Sequence, residues 1–537
     1  MRGIVVCPQP RAADAGVAVL ATGGNAFDAA IATAFAQMVA DPFMCGLGGM
    51  GTLQYHRAQG GETAMIDFHT RAGSKVTADM WAADVRGRTE ISGYTLFDDL
   101  RSDIGYRAIM TPGTVAGLWE VHRRLATLPW DALLEPAIHM AREGLETTPF
   151  VADFLERPPM PGVADGLRRV RATEACARIF LHPEGRLYRV GEVHRNPDLA
   201  ATFEALAEGG VDAFYRGAIA ARVAADFDRN GAYVTAGDLA DYRVREPAPV
   251  RGSYRGLEIT SNPPPGSGAS LVQMLHILEH FDLSALSHGS PEHLDLVARA
   301  MAAAHADRER WLADPEFVEV PVDLLTSKAR AAEWAERIAA RTPFDVPPPA
   351  PPSCTTHVCV CDADGNVVSL THTLGTGAGV VTPGLGFVWN NSMKLFDPLP
   401  GRANSMAPGK ARTTGMVPTI VHRDGRPWLV VGAPGGSVII SSVLQTILNV
   451  VDFGMSPAEA VAATRIHCEG RAVHAEARMP DAVKRGLEGL GHTVRRSPVS
   501  YDPYMSRAHC IAIDDARDAR WRGGADPRGG GGVAQTL

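Results

Sequence analysis

Thr355 stands at a junction where the character of the sequence changes. Residues 343–352 read PFDVPPPAPP, and so many prolines exclude both a helix interior and a central strand. From Thr355 to Cys361 the pattern becomes that of a strand. If the chain is cut before Thr355, its hydroxyl and its own α-amine lie on one residue, and an amine with a pKa of about 7.7–8.0 can activate the hydroxyl. The junction is typical of a self-processing N-terminal nucleophile enzyme, which needs no histidine.

A glycine-rich segment suggests a different chemistry. Residues 46–51, GLGGMG, match the glycine pattern of dinucleotide-binding sites. That function requires a strand before the glycines and a helix after them, so that the helix N-terminus can hold the pyrophosphate. Here a helical pattern precedes the glycines and a strand pattern follows. We therefore expect no dinucleotide.

A pair of histidines suggests a metal. His276 and His280 fit the HxxEH pattern, in which two histidines one helical turn apart bind zinc. The same helix carries an apolar face typical of a protein core, and no third ligand follows downstream. The segment DADGN, 362–366, begins like a calcium loop but lacks the acidic residue at position twelve, so we interpret it as a turn. We predict no metal and no cofactor, with zinc at the two histidines as the alternative.

The composition narrows the class of protein. The 537 residues include 52 Lys and Arg against 60 Asp and Glu, a net charge of -8, and no basic stripe predicts a nucleic-acid partner. The eight cysteines have no regular spacing and do not form a disulfide framework. Residues 427–451 carry no charge, but glycine, proline and serine divide them into a strand, a turn and a helix, so we expect no membrane segment. Arg11 and Asp14 interrupt any signal peptide, and we expect a cytoplasmic protein.

The elements that must position Thr355 follow from periodicity and turn residues. Helices are predicted over 11–40, with a break at 23–25, and over 112–145, with a break at 128–130; the region 165–345 is helix-rich with a strand pair at 250–261. Strands are predicted at 52–55, 64–68, 355–361, 367–374, 386–390, 419–422 and 428–432, and a helix at 437–451. Strand-rich blocks separated by helices indicate an α/β sandwich.

Many ordered motifs give the chain a resemblance to a known family. It resembles the γ-glutamyltransferase family of N-terminal nucleophile hydrolases over nearly its whole length, within the amidohydrolase-like subgroup. The motifs are GGNAFDAAIATAFAQMVADP (23–42), CGLGGMG (45–51), PGTVAGLW (112–119), LPWDALLEPAIHMAREG (128–144), PPPGSG (263–268), TTHVCVCDADGNVVSLTHTL (355–374), NNSM (390–393), MVPTIV (416–421), GAPGGS (432–437) and DPRGGGGVA (526–534).

The resemblance implies a fold and a maturation. The fold is an α/β (α+β) protein, a four-layer αββα sandwich of the N-terminal nucleophile hydrolase type. The precursor cleaves itself between Cys354 and Thr355, after the proline-rich processing segment 343–354. The products, a large chain 1–354 and a small chain 355–537, together make one αββα domain. They form a heterodimer that is able to dimerise further.

The resemblance also assigns the catalytic residues. Thr355 is the nucleophile, and Thr373, 18 residues on, holds its amine or hydroxyl in place. The backbone N–H groups of Gly435 and Gly436 form the oxyanion hole. A Pro-Gly-Gly turn before a helix suits that role, because it presents adjacent amides without side chains in the way.

Departures from the family pattern occur at the substrate carboxylate. The family's DFRE-type segment binds this group through an arginine, whereas here the segment reads DFHTRA, with His69 at the arginine position and Arg71 two residues later. A strand period of two keeps both on one face, so Arg71 can still bind an anion bidentately. Two serines that also hold the carboxylate are replaced by Thr414 and Gly415.

The residues expected around the α-amino group of the substrate depart further from the family pattern. The Asn of the family's TLN segment is Gly375, and the residues after NN become Ser392 and Leu395. A substrate ammonium would lose its partner there, which is costly in a desolvated site. We therefore expect a small-molecule amide with a carboxylate but no amino group, as in the related oxamate amidohydrolases or glutaryl acylases. The alternatives are a γ-glutamyl hydrolase or transferase with altered amine recognition, and a non-catalytic relative that binds a ligand.

Overall fold

The computed structural model describes residues 2–89, 93–342, 354–514 and 520–536. Most of the predicted processing segment, 343–353, lies outside the described residues. Strands β1 to β19 span, in chain order, Gly3–Cys7, Met50–Arg57, Glu62–Phe68, Gly87–Arg88, Thr95–Leu96, Leu145–Glu146, Val193–His194, Val250–Tyr254, Leu257–Ser261, Cys354–Asp362, Val367–Gly375, Thr419–Arg423, Arg426–Gly432, Ile466–Cys468, Val473–Ala475, Val494–Arg496, His509–Ile513, Trp521–Ala525 and Gly532–Gln535. Helices α1 to α17 span Pro10–Ala21, Ala26–Ala40, Thr114–Leu125, Trp130–Glu143, Pro149–Glu156, Gly166–Val170, Glu174–Phe180, Pro197–Tyr215, Ala218–Arg229, Ala236–Ala240, Gly268–Leu278, Pro291–Trp311, Val322–Leu325, Lys328–Ala339, Val438–Val451, Pro457–Ala462 and Asp481–Gly489.

Two six-stranded antiparallel sheets form the centre of the molecule. The first has the strand order β19-β1-β10-β11-β2-β3, and the second has the order β18-β17-β13-β12-β9-β8. Their inner faces meet in an apolar layer that includes Ile4, Cys361, Ile420 and Ile511. Helices cover both outer faces: one core cluster joins the first sheet to α1–α4 and α8, and another joins the second sheet to α11, α12 and α15. The fold is therefore the expected four-layer αββα sandwich.

The break between the first two helices is fixed by a capping box. Asn25 accepts hydrogen bonds from the backbone N–H groups of Phe27 and Asp28, and the Asp28 carboxylate accepts one from the Asn25 N–H. The same carboxylate accepts from the backbone N–H groups of Thr127 and Leu128, which precede α4. One buried aspartate thus ties the start of α2 to the connection between α3 and α4.

Strands from both predicted chains contribute to the first sheet. Strand β10 begins at Cys354 and lies between β1, from residues 3–7, and β11. Strands β2 and β3 of the predicted large chain complete one side, and β19 of the predicted small chain completes the other. The division at Cys354 and Thr355 stays a prediction, but two chains cut there would share one sheet and one core.

Most predicted elements are present, and two departures have physical causes. The strand predicted at 386–390 is wrong: Trp389 makes only an isolated bridge to Gly48, because Gly384 and Gly386 both have a φ of +76° and turn the chain. Strand β1 precedes the first predicted helix and is not predicted, because five residues directly before a helix carry little periodicity. No helix in the described ranges is long and apolar enough to cross a membrane.

Candidate active site

Thr355 is buried at an irregularity between the two central strands. Cys354 pairs with Gly375 and Thr356 pairs with His372, so the register shifts beside Thr355. At this shift Thr355 Oγ1 lies 3.3 Å from Thr373 Oγ1, within reach of a hydrogen bond. The structure therefore brings together the predicted nucleophile and the residue predicted to hold it.

Gly375 supports Thr373 through its backbone. Its N–H donates to Thr373 Oγ1 over 2.8 Å, and its φ of +77° is one that glycine adopts without strain. A Cβ at this position would lie 2.3 Å from Asn391 Oδ1, so a larger residue would have to displace the Asn391 side chain. The glycine that replaces the family's asparagine thus orients the Thr373 hydroxyl.

The predicted oxyanion turn is held from two sides. The Ser506 hydroxyl donates to the Pro434 carbonyl over 2.6 Å, and Gly435 has a φ of +134°. Helix α15 begins two residues after Gly436, so the positive end of its dipole points toward the turn. Free backbone N–H groups at a helix N-terminus are suited to stabilising a developing negative charge.

Gly415 lies directly against this turn. A Cβ at Gly415 would meet the carbonyl oxygen of Gly436 at 2.2 Å, which is backbone and cannot move aside cheaply. Its neighbour Thr414 accepts a hydrogen bond at its carbonyl from Ser267 over 2.6 Å. The second of the family's two serines therefore has no room in this backbone.

One cavity collects the predicted catalytic residues. It has a volume of about 340 Å³ and is lined by Thr355, Thr373, Thr414, Gly415, Gly435 and Gly436, among others. Ligand pockets of a few hundred cubic ångströms suit small molecules. The residues lining it do not include four others predicted at the substrate, namely His69, Arg71, Gly375 and Ser392.

His69 and Arg71 make internal contacts instead. The His69 imidazole contacts the Asp67 carboxylate, and Arg71 forms an ion pair of 3.0 Å with the buried Asp314. Asp314 also accepts a hydrogen bond from the backbone N–H of Ala411 over 2.8 Å. Arg71 thus anchors the segment that leads to Thr414, and a substrate contact by either residue stays a prediction. Ser392 is fully buried.

The cavity wall carries an excess of positive charge that the sequence analysis missed. Its basic residues outnumber its two carboxylates, Glu309 and Asp397; they are Arg88, Arg308, Arg310, Lys394, Arg402 and Arg412. They come from four distant segments, so no local pattern reveals them. The segment KARTTG, 410–415, does give a local indication for Arg412, because it places this arginine two residues before the predicted substrate residue Thr414.

A second, smaller cavity meets Thr355 from another side. Its volume is about 90 Å³, and it shares Thr355, Gly435 and Gly436 with the first cavity. Its remaining walls are largely apolar and aromatic, including Phe150, Phe154 and Tyr504. The candidate nucleophile and the oxyanion turn therefore lie between a cationic cavity and an aromatic one.

Among the described residues, no side chain that could act as a base contacts the Thr355 hydroxyl. Within the described part of the chain, no hydrogen bond joins its hydroxyl to a histidine or a carboxylate. Burial lowers the pKa of His372 to about 3 and holds that of His357 well below its usual range, so both rings are neutral. The α-amine that cleavage would expose is then the base within reach.

Polar residues of α2 and its flanks support the strand from behind. Gln37 donates to Thr356 Oγ1 over 2.9 Å, and Gln9 donates to Asp41 over 3.0 Å. Burial raises the pKa of Asp41 to about 6, although the charge of Arg507 opposes the shift. Arg507 in turn donates to the Thr355 carbonyl over 3.0 Å.

The histidines of the HxxEH pattern do not form a cluster in the structure. His276 Nε2 accepts a hydrogen bond from the Ser253 N–H over 3.1 Å, and burial lowers the pKa of His276 to about 4. A different group, formed by His305, His467 and Glu469, has its ligand atoms within 4.8 Å of one another. Among the residues that the structure describes, this is the group whose geometry suits a metal ion. His305 lies on α12, whereas His467 lies on β14 and Glu469 directly follows that strand, so no local spacing joins all three.

Comparisons with known proteins find one matching family and several similar chains. The family model described as Gamma-glutamyltranspeptidase matches residues 12–536. The Acylase ACY 1 proenzyme of Pseudomonas sp. (strain V22) is 39% identical over 512 residues, covering 93% of this chain and 88% of that protein. The Glutathione hydrolase proenzyme of Escherichia coli (strain K12) is 37% identical over 486 residues, covering 87% of this chain and 81% of that protein. The crystal structure of cephalosporin acylase from Bacillus halodurans superposes with a TM-score of 0.87 and 29% identity, covering 99% of this chain and 95% of that one.

Proposed function

The chain belongs to the gamma-glutamyltranspeptidase family, and on that premise we propose that it is a self-processing N-terminal threonine amidohydrolase acting on an amide of a small carboxylated acyl group. The observation that carries this proposal is the meeting of Thr355, Thr373 and the Gly435–Gly436 turn in one cation-rich cavity.

Maturation uses the hydroxyl of Thr355 on its own chain. The Thr355 oxygen attacks the Cys354 carbonyl carbon, the peptide C–N bond breaks, and the acyl group moves from nitrogen to oxygen. Water then hydrolyses the ester, which leaves a carboxylate on Cys354 and a free α-amine on Thr355. The proenzyme names of the Pseudomonas and Escherichia coli relatives support such a precursor.

Catalysis then repeats the chemistry on a separate amide. The α-amine of Thr355 takes the proton of its own hydroxyl as the oxygen attacks the substrate carbonyl. The N–H groups of Gly435 and Gly436 stabilise the negative charge that develops on the carbonyl oxygen. The leaving amine receives the proton, an acyl ester forms on Thr355, and water releases the acid.

The charge of the cavity supports an anionic acyl group. Six basic residues and two acidic ones line it, so its potential attracts a carboxylate. At the end of the cavity where the family binds a substrate ammonium, this chain has Lys394 and Leu395. Lys394 is paired with Asp103. An ammonium group there would meet a cation and an apolar side chain, which disfavours a γ-glutamyl donor.

The aromatic cavity completes the arrangement. Because it reaches Thr355 and the oxyanion turn from another side, it offers apolar space to the leaving amine. The acyl group then lies in the cationic cavity and the amine in the aromatic one.

The test uses the processed protein and a panel of anilides that release a coloured amine. Glutaryl and γ-glutamyl anilides differ only in the α-amino group, and the proposal expects faster hydrolysis of the glutaryl compound. Equal or faster hydrolysis of the γ-glutamyl compound would contradict the expected substrate class, and a processed protein that cleaves none of the panel would contradict the amidohydrolase activity.

A further inference from the structure

Two arginines of the cavity wall are buried. Arg412 is 2% exposed and Arg308 is 8% exposed, and both line the cavity that contains Thr355. Arg308 lies in the last turn of α12, and Arg412 lies two residues before Thr414. Fully buried arginines are rare unless they are paired.

The hydrogen bonds of these guanidinium groups leave donors unused. Arg412 donates to the neighbouring Thr413 carbonyl over 3.0 Å, and its Nε has no partner. Arg308 donates its Nε–H to the Ser267 hydroxyl over 3.0 Å. Among the residues that the structure describes, no carboxylate lies within 4.0 Å of either group; Glu469 and Glu309 act on Arg308 only from farther away. Two desolvated cations without a close counter-ion are costly, and a bound anion would offset that cost.

Three other basic residues of the cavity wall already form ion pairs with carboxylates. Arg88 and Arg402 both contact Asp397, at 2.7 and 2.8 Å, and Lys394 contacts Asp103. Arg310 is exposed and stacks on Trp311. Arg412 differs from them all: burial and, to a smaller extent, the nearby charge of Arg308 together lower its pKa to about 9.

We propose that Arg412, assisted by Arg308, binds the carboxylate at the far end of the acyl group of the substrate. The proposal rests on the amidohydrolase function proposed above and names the residues that select its substrate. Arg412 presents a planar fork that matches a carboxylate, which Lys does not. The site is distinct from His69 and Arg71, since Arg71 is engaged by Asp314 and secures the chain at Ala411, next to Arg412. The ligand class is a short dicarboxylic acid joined through one end as an amide.

The experiment compares two anilides of the same shape. Glutaryl anilide carries the carboxylate, and its glutaramide counterpart carries an uncharged carboxamide in the same place. We expect wild type to prefer the carboxylate by at least about 30-fold in kcat/KM, and Arg412→Met to lose about 30- to 1,000-fold on the carboxylate through KM, so that the preference collapses. Arg412→Lys restores part of the preference, since it returns charge without the fork. Arg216→Gln, at an exposed arginine that does not line the cavity and is paired with Asp212, is the control and changes kcat/KM by less than about threefold.

Binding of free glutarate, measured by calorimetry, separates this proposal from the proposed function. Glutarate that binds wild type and not Arg412→Met supports the carboxylate site even if no anilide is cleaved, in which case the amidohydrolase proposal alone fails. Cleavage of both anilides at equal rates, unchanged in Arg412→Met, overturns the site while the amidohydrolase stands. Mass spectrometry confirms processing of every variant, and Arg308→Lys provides a second variant if Arg412→Met does not fold.

Discussion

Thr355 Oγ1 and Thr373 Oγ1 lie 3.3 Å apart across the register shift of the two central strands, and Thr373 Oγ1 accepts the Gly375 N–H over 2.8 Å. The Thr373 hydroxyl is thereby fixed by the backbone on one side and faces the candidate nucleophile on the other. We propose that Thr373 positions the Thr355 hydroxyl in both self-cleavage and turnover.

Thr373→Val should slow self-processing by about 10- to 100-fold. The variant keeps the shape of the side chain but removes the hydroxyl, which also leaves the Gly375 N–H without its partner. Thr373→Ser should process at close to the wild-type rate. The measurement is a time course of fragment appearance on denaturing gels. Thr446→Val, which removes a buried hydroxyl bonded within α15, is the control; wild-type processing in Thr373→Val would contradict the assigned role.

Gly415→Ala should damage the oxyanion turn without unfolding the protein. Its Cβ would lie 2.2 Å from the Gly436 carbonyl, so the turn must shift. We expect kcat to fall by about 10- to 1,000-fold with a smaller change in KM, because oxyanion donors act in the transition state. Gly489→Ala, at a helical glycine whose Cβ meets open space, is the control and should leave kinetics unchanged. A fully active Gly415→Ala would show that the turn is not strained by this contact.

Asp41→Asn should stabilise the protein at neutral pH. Burial raises the pKa of Asp41 from 3.8 to about 6, so the folded state favours the protonated carboxyl. The stability from this group is fully present below about pH 4 and is lost as the pH rises through about 6. Asn mimics the protonated form, so the variant should match wild type near pH 4 and exceed it by about 1–3 kcal/mol near pH 7.5.

The measurement is urea unfolding across that pH range in the uncut Thr355→Ala background. Asp14→Asn, at an exposed carboxylate of α1, serves as the control. A stability difference between Asp41→Asn and wild type that does not change with pH would contradict the assignment.

Arg528→Met should destabilise the protein by about 3–5 kcal/mol. Arg528 is buried and contacts Glu476 at 2.8 Å and Asp526 at 2.9 Å. Its loss removes an ion pair from two buried carboxylates and leaves only Arg478 to neutralise Glu476 and Arg465 to neutralise Asp526. This network accounts for Asp526 and Arg528 of the DPRGGG segment. Arg496→Met removes an exposed pair with Asp481 and should cost less than about 1 kcal/mol. Equal effects of the two substitutions on the free energy of unfolding would refute the buried-network account.

Local chemistry made much of the fold predictable. The break at 23–25, the turn at 362–366 and the alternation on both sides of it placed α2, β10 and β11 correctly, because these signals act over a few residues. Strand β1 was missed because a five-residue strand directly before a helix carries little periodicity.

The candidate site was predictable only in part, because sequence signals act over a few residues. Thr355, Thr373, Gly435 and Gly436 sit in motifs that can be recognised along the chain. Arg308 and Arg412 are 104 positions apart, and nothing in their neighbours indicates that both become buried at one cavity. The clash that a side chain at Gly415 would cause depends on the Gly436 carbonyl, which only tertiary structure brings near.

Intact mass and N-terminal sequencing of wild type beside Thr355→Ala test the central claim most directly. The account predicts two wild-type fragments, the smaller beginning at Thr355 with a mass of about 19 kDa, its share of the 57.2 kDa chain. It predicts that Thr355→Ala remains a single chain of 57.2 kDa. A wild-type chain that stays uncut under long incubation, or a Thr355→Ala chain that is cut at the same bond, would contradict the role of Thr355 as nucleophile.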